Sequence, residues 1–152
     1  MEEEGQAPTF DVAEPLLLST AFVILRKHVE RALAPWNLTA TQAIALVFLD
    51  FVGHPIPVCD LARMLIQESP STSTLVDRMS ERGLVERQDD PKDRRKALVR
   101  LTDRGLALRS EVDSTLRIAV VDLFSVLSAE QRSTLKEALR TFRDKNIGRL
   151  QL

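Results

Sequence analysis

Residues 54–105 read HPIPVCDLARMLIQESPSTSTLVDRMSERGLVERQDDPKDRRKALVRLTDRG, and the fold turns on them. Near 58–66, Val58, Leu61, Ala62 and Leu65 recur at the i, i+3, i+4, i+7 spacing of a helix packed on one side. Gln67 and Glu68 then make a tight turn. Ser69 is placed to cap a second helix, and Pro70 suits its first position, where a missing N–H costs nothing. In that second helix Thr72, Leu75, Val76 and Met79 share one face. Pro70, Ser73, Thr74, Asp77 and Glu81 face away, with Arg78 on the flank, and Gly83 is a stop signal. Two helices joined by so short a turn, the second opening on small polar side chains, spell a helix-turn-helix.

A hairpin follows at once. Residues 84–88 form one strand and 97–101 the other, around the turn DDPKDRRK. From Lys92 to Arg104 there are six basic residues (Lys92, Arg94, Arg95, Lys96, Arg100 and Arg104) against the two acids Asp93 and Asp103, in a chain of net charge −1. Overall charge conceals this cluster; position reveals it. A cationic loop beside a helix-turn-helix is the pattern of a winged helix, with the wing set to meet a DNA backbone or minor groove.

The run LVDRMSERGLVERQDDPKDRRKALVRLTDRG resembles the signature of the MarR family of bacterial regulators. It spans the recognition helix, the wing with its Asp-Arg-Arg, and the Leu-Thr then Gly that open the next helix. The likeness extends more weakly over about 15–148, through the order and lengths of helices. The resemblance implies a homodimeric winged-helix DNA-binding protein, usually a repressor of nearby genes, relieved by a small ligand or by thiol oxidation. It also implies that Arg95 enters the minor groove with Asp93 bracing it. One departure stands out: many MarR-like chains carry arginine where this one has Thr74.

The expected fold class is mainly α with a small β-hairpin wing. A single domain over 10–152 holds a winged helix-turn-helix at about 36–104 and dimerisation helices at about 11–34 and 105–150, behind a disordered tail at 1–9. The tail is acidic with Gly and Pro. The first helix is apolar on more than one side, through Leu16, Leu18, Phe22 and Val23 besides Leu17, Ala21, Ile24, Leu25, Val29 and Leu33, and Pro35 ends it. Thr39 with Gln42 makes a capping box for a second helix to about Val52, in which Ile44, Leu46, Val47, Phe48, Leu49 and Phe51 read mostly as core. Thr102 caps a long helix to about Val126, with a stripe from Val112 to Leu127. Ser128 with Gln131 opens a last one to about Asn146, with Leu135, Ala138, Leu139 and Phe142 as its core face. The first and last helices carry more apolar surface than the small reader can bury, which predicts an interface with a second copy. Dimer symmetry would then set two readers on half-sites roughly 34–36 Å apart.

At 152 residues, 44% apolar and 28% charged, the composition is that of a soluble globular domain. One cysteine excludes an internal disulfide and suits a reducing cytoplasm. The apolar run Leu16–Leu25 is broken by Ser19 and Thr20 and is too short for a membrane span, and the acidic start lacks the basic region of a secretory signal.

Ser71, Ser73, Thr74 and Arg78 are the candidate DNA contacts of the recognition helix. Helix N-terminal N–H groups attract phosphate, short hydroxyls allow close approach, and a guanidinium reaches a guanine edge or a phosphate. The bland alternative is that they cap and solvate the helix. Arg94, Arg95 and Lys96 are the wing candidates, against the alternative of ordinary surface ion pairs worth ~0–1 kcal/mol. Asp77 and Glu81 would repel phosphate, so the first half of the helix should sit deepest. Cys59 lies at the start of the first reader helix, where helix N-termini activate thiols. Thiol-switch relatives carry theirs nearer the chain start, so a small buried or half-buried residue is the plainer expectation. His28 and Trp36 are candidate walls of an effector pocket for a small aromatic or phenolic ligand. His28, His54 and Cys59 do not match metal-ligand spacing, and no cofactor is implied.

No GxSxG, phosphate-cradling glycine loop or base–nucleophile pair occurs, which speaks against an enzyme. The expected function is a DNA-binding transcriptional regulator, a repressor on a pseudo-palindromic operator. The alternatives are a redox-sensing regulator using Cys59 and a winged helix that binds protein.

Overall fold

The computed structural model describes residues 11–91, 93 and 97–149. The tail expected to be disordered, the wing residues Lys92, Arg94, Arg95 and Lys96, and the last three residues lie outside them. The chain is mainly helical, with one small antiparallel sheet.

Helix α1 runs Ala13–Leu33. Pro35 stops it in a single 3-10 turn, and Asn37 takes a left-handed φ of 50°, so the axis swings by 78° into α2, Ala40–Val52. The predicted capping box is present: Gln42 N–H donates to Thr39 Oγ1 at 3.2 Å, and Thr39 N–H to Gln42 Oε1 at 3.0 Å. Gly53, at φ +70°, closes α2.

A two-residue strand β1, Ile56–Pro57, comes next, then α3, Val58–Leu65. Ile66 supplies the left-handed turn at φ 54°, an uncommon conformation for a β-branched residue. Helix α4 spans Ser69–Glu81, and Gly83 at φ +67° turns the chain into β2, Val85–Asp89. Strand β3, Ala97–Leu101, sits in the middle of the sheet: it pairs antiparallel with β2, Val85 facing Leu101, and with β1, Ile56 facing Val99. Helix α5 is Asp103–Phe124 and α6 is Ala129–Asn146, opened by the second predicted capping box, Ser128 with Gln131.

The core centres on the reader, and the end of α1 and the start of α5 close it. Leu33, Leu46, Leu61, Val76, Met79, Leu84, Val85 and Val99 are almost wholly shielded from solvent, and α5 contributes Val112. Gly105 lets α5 press on the sheet: a Cβ there would lie 2.0 Å from the Leu84 carbonyl oxygen. Thr102 ties the same corner, accepting from Gly105 N–H at 3.0 Å and donating to Gly83 O at 2.6 Å.

Two sequence expectations about the core need correction. In α2, Leu46 and Leu49 are buried and Phe48 is half-buried, but Ile44, Val47 and Phe51 are exposed, Phe51 at 85%. They fall on the helix face opposite Ala45, Leu46 and Leu49, and an unbroken apolar run hides which face is which. In α6, Leu135, Leu139 and Phe142 form the expected stripe, yet no α6 residue is buried within the protomer. The same holds of Leu16, Leu17, Phe22 and Ile24 in α1 and of Ile118 and Val121 in α5. The three outer helices thus present a broad uncovered apolar surface. Among the described residues no single helix is long and apolar enough to cross a membrane.

Candidate nucleic-acid interface

Helix α4 exposes one face because the other is spent on the core. Thr72, Val76 and Met79 point inward, while Ser71, Thr74, Asp77 and Arg78 are exposed and Ser73 is half-buried. Its start differs from expectation by one residue. Glu68, not Ser69, is the last extended residue, because the Glu68 carbonyl already accepts from Thr72 N–H at 3.1 Å. Ser69 and Pro70 therefore lie inside the first turn, and no side chain caps the end. The helix opens with donors that no side chain occupies and with positive dipole character, beside the hydroxyl of Ser71.

The hydroxyls differ in what they can offer. Thr74 Oγ1 donates to Pro70 O of its own helix at 3.2 Å and keeps acceptor capacity outward. Ser73 is engaged by Arg87 of β2, whose Nη2 donates to both Ser73 O and Ser73 Oγ at 3.0 Å. Arg87 also lies 2.7 Å from Asp77 Oδ1. One wing guanidinium therefore clasps the middle of α4 and neutralises Asp77, one of the two acids that would repel phosphate. Residue spacing gave no sign of Arg87, because its partners are 10 and 14 residues away and meet it only in three dimensions.

In the wing, Arg100 pairs with Glu86 across the β2–β3 ladder. Asp93 N–H donates to Asp90 O at 3.2 Å, tightening the turn. The side-chain positions of Arg94, Arg95 and Lys96 fall outside the described residues, as does the bracing of Arg95 by Asp93.

Three contacts brace this region, one within the reader and two from it to the long helix α5. Arg82, just past α4, donates to Trp36 O and Asn37 O at 2.7 Å. Trp36 Nε1 donates to Glu111 of α5 at 3.3 Å. Arg109 Nε stands 2.9 Å from Asp50 Oδ2. Trp36 is thus a half-buried strut from the turn before α2 to α5.

Cys59 is exposed rather than buried or half-buried as expected. It lies two residues before Leu61, about 200° around the helix from it, so the side that buries Leu61 turns Cys59 outward. It lines a shallow cleft of about 270 Å³ with Ser69, Ser73 and Arg87, and its Sγ is 3.9 Å from Asp60 Oδ1.

A cavity of about 420 Å³ lies among α1, α2 and α5. Phe22, Leu25, Ile44, Val47, Leu116 and Phe124 make it apolar, and Arg26 is the one charged side chain in its wall among the described residues. The misassigned residues of α2, Ile44 and Val47, face this space. His28 and Trp36 do not line it.

Similarity to known proteins agrees with this geometry. Residues 36–96 match the sequence model of the MarR family. A probable transcriptional regulator from Pseudomonas aeruginosa is 29% identical, with a TM-score of 0.76 over 83% of this chain and 93% of that one. BpsR of Bordetella bronchiseptica, a protein whose DNA binding is regulated by 6-hydroxynicotinic acid, is 25% identical, with a TM-score of 0.80 over 91% and 97%. A mutant of MarR from E. coli, solved in complex with operator DNA, shares the fold at 23% identity, with a TM-score of 0.81 over 86% and 94%. The winged helix-turn-helix of residues 36–96, held between α1 and α5, is thus similar in sequence and fold to that of the MarR family of transcriptional regulators.

Proposed function

We propose that the protein is a homodimeric, cytoplasmic repressor that grips a pseudo-palindromic operator in duplex DNA with α4 and the wing, and that a small aromatic or phenolic effector releases it. The observation that carries the reading is the exposed outer face of α4. Its end is uncapped, Ser71, Thr74 and Arg78 are in solvent, and Asp77 is neutralised by Arg87, all beside a hairpin rich in arginine. Phosphate would meet the helix start and Ser71, Arg78 would reach a base edge or a second phosphate, and Arg95 would enter the minor groove.

The dimer is supported by the apolar stripes of α1, α5 and α6, which no part of the described protomer covers. The effector is supported by the cavity among α1, α2 and α5, whose apolar wall and single cation suit an aromatic ring bearing a negative group. BpsR, named above for its regulation by a hydroxylated aromatic acid, offers a parallel.

Light scattering combined with selection of duplexes from a random pool tests this reading. The expected result is a dimer that enriches an inverted repeat and binds it less tightly as salt rises. A strictly monomeric protein, or a pool left unenriched, would refute it.

A second reading makes Cys59 a redox trigger, favoured by its exposure between α3, α4 and the wing. A Cys59→Ser protein that still loses DNA under mild peroxide would eliminate it.

A further inference from the structure

Arg26 stands between two hollows. One is the apolar cavity, where it is the one charged wall residue among those described. The other is a polar cleft of about 330 Å³ that reaches the recognition helix and is lined by Arg26, Glu30, Thr39, Ser71, Thr74 and Arg78. Arg26 Nη1 lies 3.4 Å from Glu30 Oε1, one turn further along α1. The pair is exposed and its contact is long, so it is weak and easily exchanged for another. Glu30 and Arg78 face the same cleft, and Arg26 supplies the charge that occupies Glu30.

We infer that the Arg26–Glu30 pair is the joint through which occupancy of the cavity reaches the DNA face. The inference rests on the effector reading above and adds how release would occur. A phenolate or carboxylate entering the apolar cavity meets one cation, and in that poorly polarisable wall it draws the Arg26 guanidinium inward. Glu30 then loses its partner. Its carboxylate is left facing Arg78 and the start of α4, where it competes with phosphate for both. Anion and DNA thus oppose each other through one side chain, and the opposition is reciprocal: bound DNA weakens the anion by the same factor.

Substitutions test the joint without any effector. Arg26→Met removes the cation and keeps an unbranched, helix-favouring side chain. It mimics the withdrawn state and is expected to weaken binding of a duplex selected by the unaltered protein by about fivefold or more. Adding Glu30→Gln to Arg26→Met is expected to restore the affinity, because the freed carboxylate is what harms binding. Glu30→Gln alone should stay within about twofold of the unaltered protein. Arg26→Gln serves as a second variant, and thermal melting checks that each one folds. An Arg26→Met protein that binds as well as the unaltered one overturns the joint. So does a loss that Glu30→Gln does not restore, since Arg26 would then be acting by touching DNA itself. An unaltered protein that selects no duplex fails the DNA-binding reading as a whole, and that result is distinct from both.

Discussion

Arg87 of the first long wing strand and Asp77 of the recognition helix stand 2.7 Å apart, and the same guanidinium reaches back to Ser73 at 3.0 Å. The contact ties the wing to the helix and cancels a carboxylate on the face proposed to meet DNA. Arg87→Ala should therefore reduce operator affinity by roughly tenfold, about 1.4 kcal/mol, measured by fluorescence anisotropy. Both partners are substantially exposed, so the cost to folding should stay within ~0–1 kcal/mol. Arg87→Ala combined with Asp77→Asn should recover part of the affinity, because the uncovered charge is then gone.

Arg95 should behave differently. In the proposed reading it is a minor-groove cation, so its removal is expected to act on binding. Arg95→Ala is expected to weaken operator binding and to reduce the slope of log affinity against log salt by about 1. An unchanged slope would remove the wing tip from the contact set.

Gly105→Ala should damage the fold itself. The new methyl would lie 2.0 Å from a backbone oxygen, Leu84 O, and backbone cannot swing aside as a side chain can. The expected loss is about 3 kcal/mol, read as a lower urea midpoint at unchanged m-value. The glycine three residues after the Thr102 cap is therefore a packing requirement between α5 and the sheet.

Thr72 carries the opposite expectation. Its side chain is wholly buried on the inner face of α4, and Oγ1 finds no hydrogen-bond partner among the described residues. Thr72→Val keeps the shape and deletes the stranded hydroxyl, so stability should hold or rise by up to about 1 kcal/mol. DNA affinity should not change, since the residue faces away from the exposed side.

Acid should act measurably at Asp113. Arg117, one turn along α5, hydrogen-bonds its carboxylate at 2.6 Å and holds its pKa below the ordinary value. A depressed folded-state pKa gives a contribution that is complete above the unfolded-state value and disappears as pH falls through the folded one. Asp113→Asn should thus be slightly less stable than the unaltered protein at neutral pH. The difference should close below the usual carboxylate range, near pH ~4. Side-chain carbon shifts of Asp113 would report the lowered midpoint directly.

Much of this architecture was legible because it depends on local chemistry. The boxes at Thr39–Gln42 and Ser128–Gln131, the Thr102 cap and the Gly83 turn each involve residues within three positions of one another, and each forms as read. The start of α4 was misplaced by one residue because an extended Glu68 and an extended Ser69 leave the same local signature before Pro70. Strand β1 escaped notice because two residues, one of them proline, carry no alternation. Only pairing with Val99, 43 positions from Ile56, makes it a strand. Ile66 in a left-handed turn was likewise illegible, since glycine or asparagine is the residue such a turn favours. The site divides the same way. Its hydroxyls and arginines could be named from spacing, but the Arg87 clasp and the shared position of Arg26 belong to tertiary structure.

Helix α5 begins at the knot of Thr102, Gly83 and Gly105 and continues unbroken for 22 residues into the outer apolar bundle. That is a rod of about 33 Å. Tilting it by about 10° displaces one end against the other by roughly 6 Å, more than the ~3.4 Å step between neighbouring base pairs. A slight pivot among the outer helices is therefore magnified into a misfit of nearly two rungs on the DNA ladder. Such leverage requires only that the rod be stiff and its near end firmly tied.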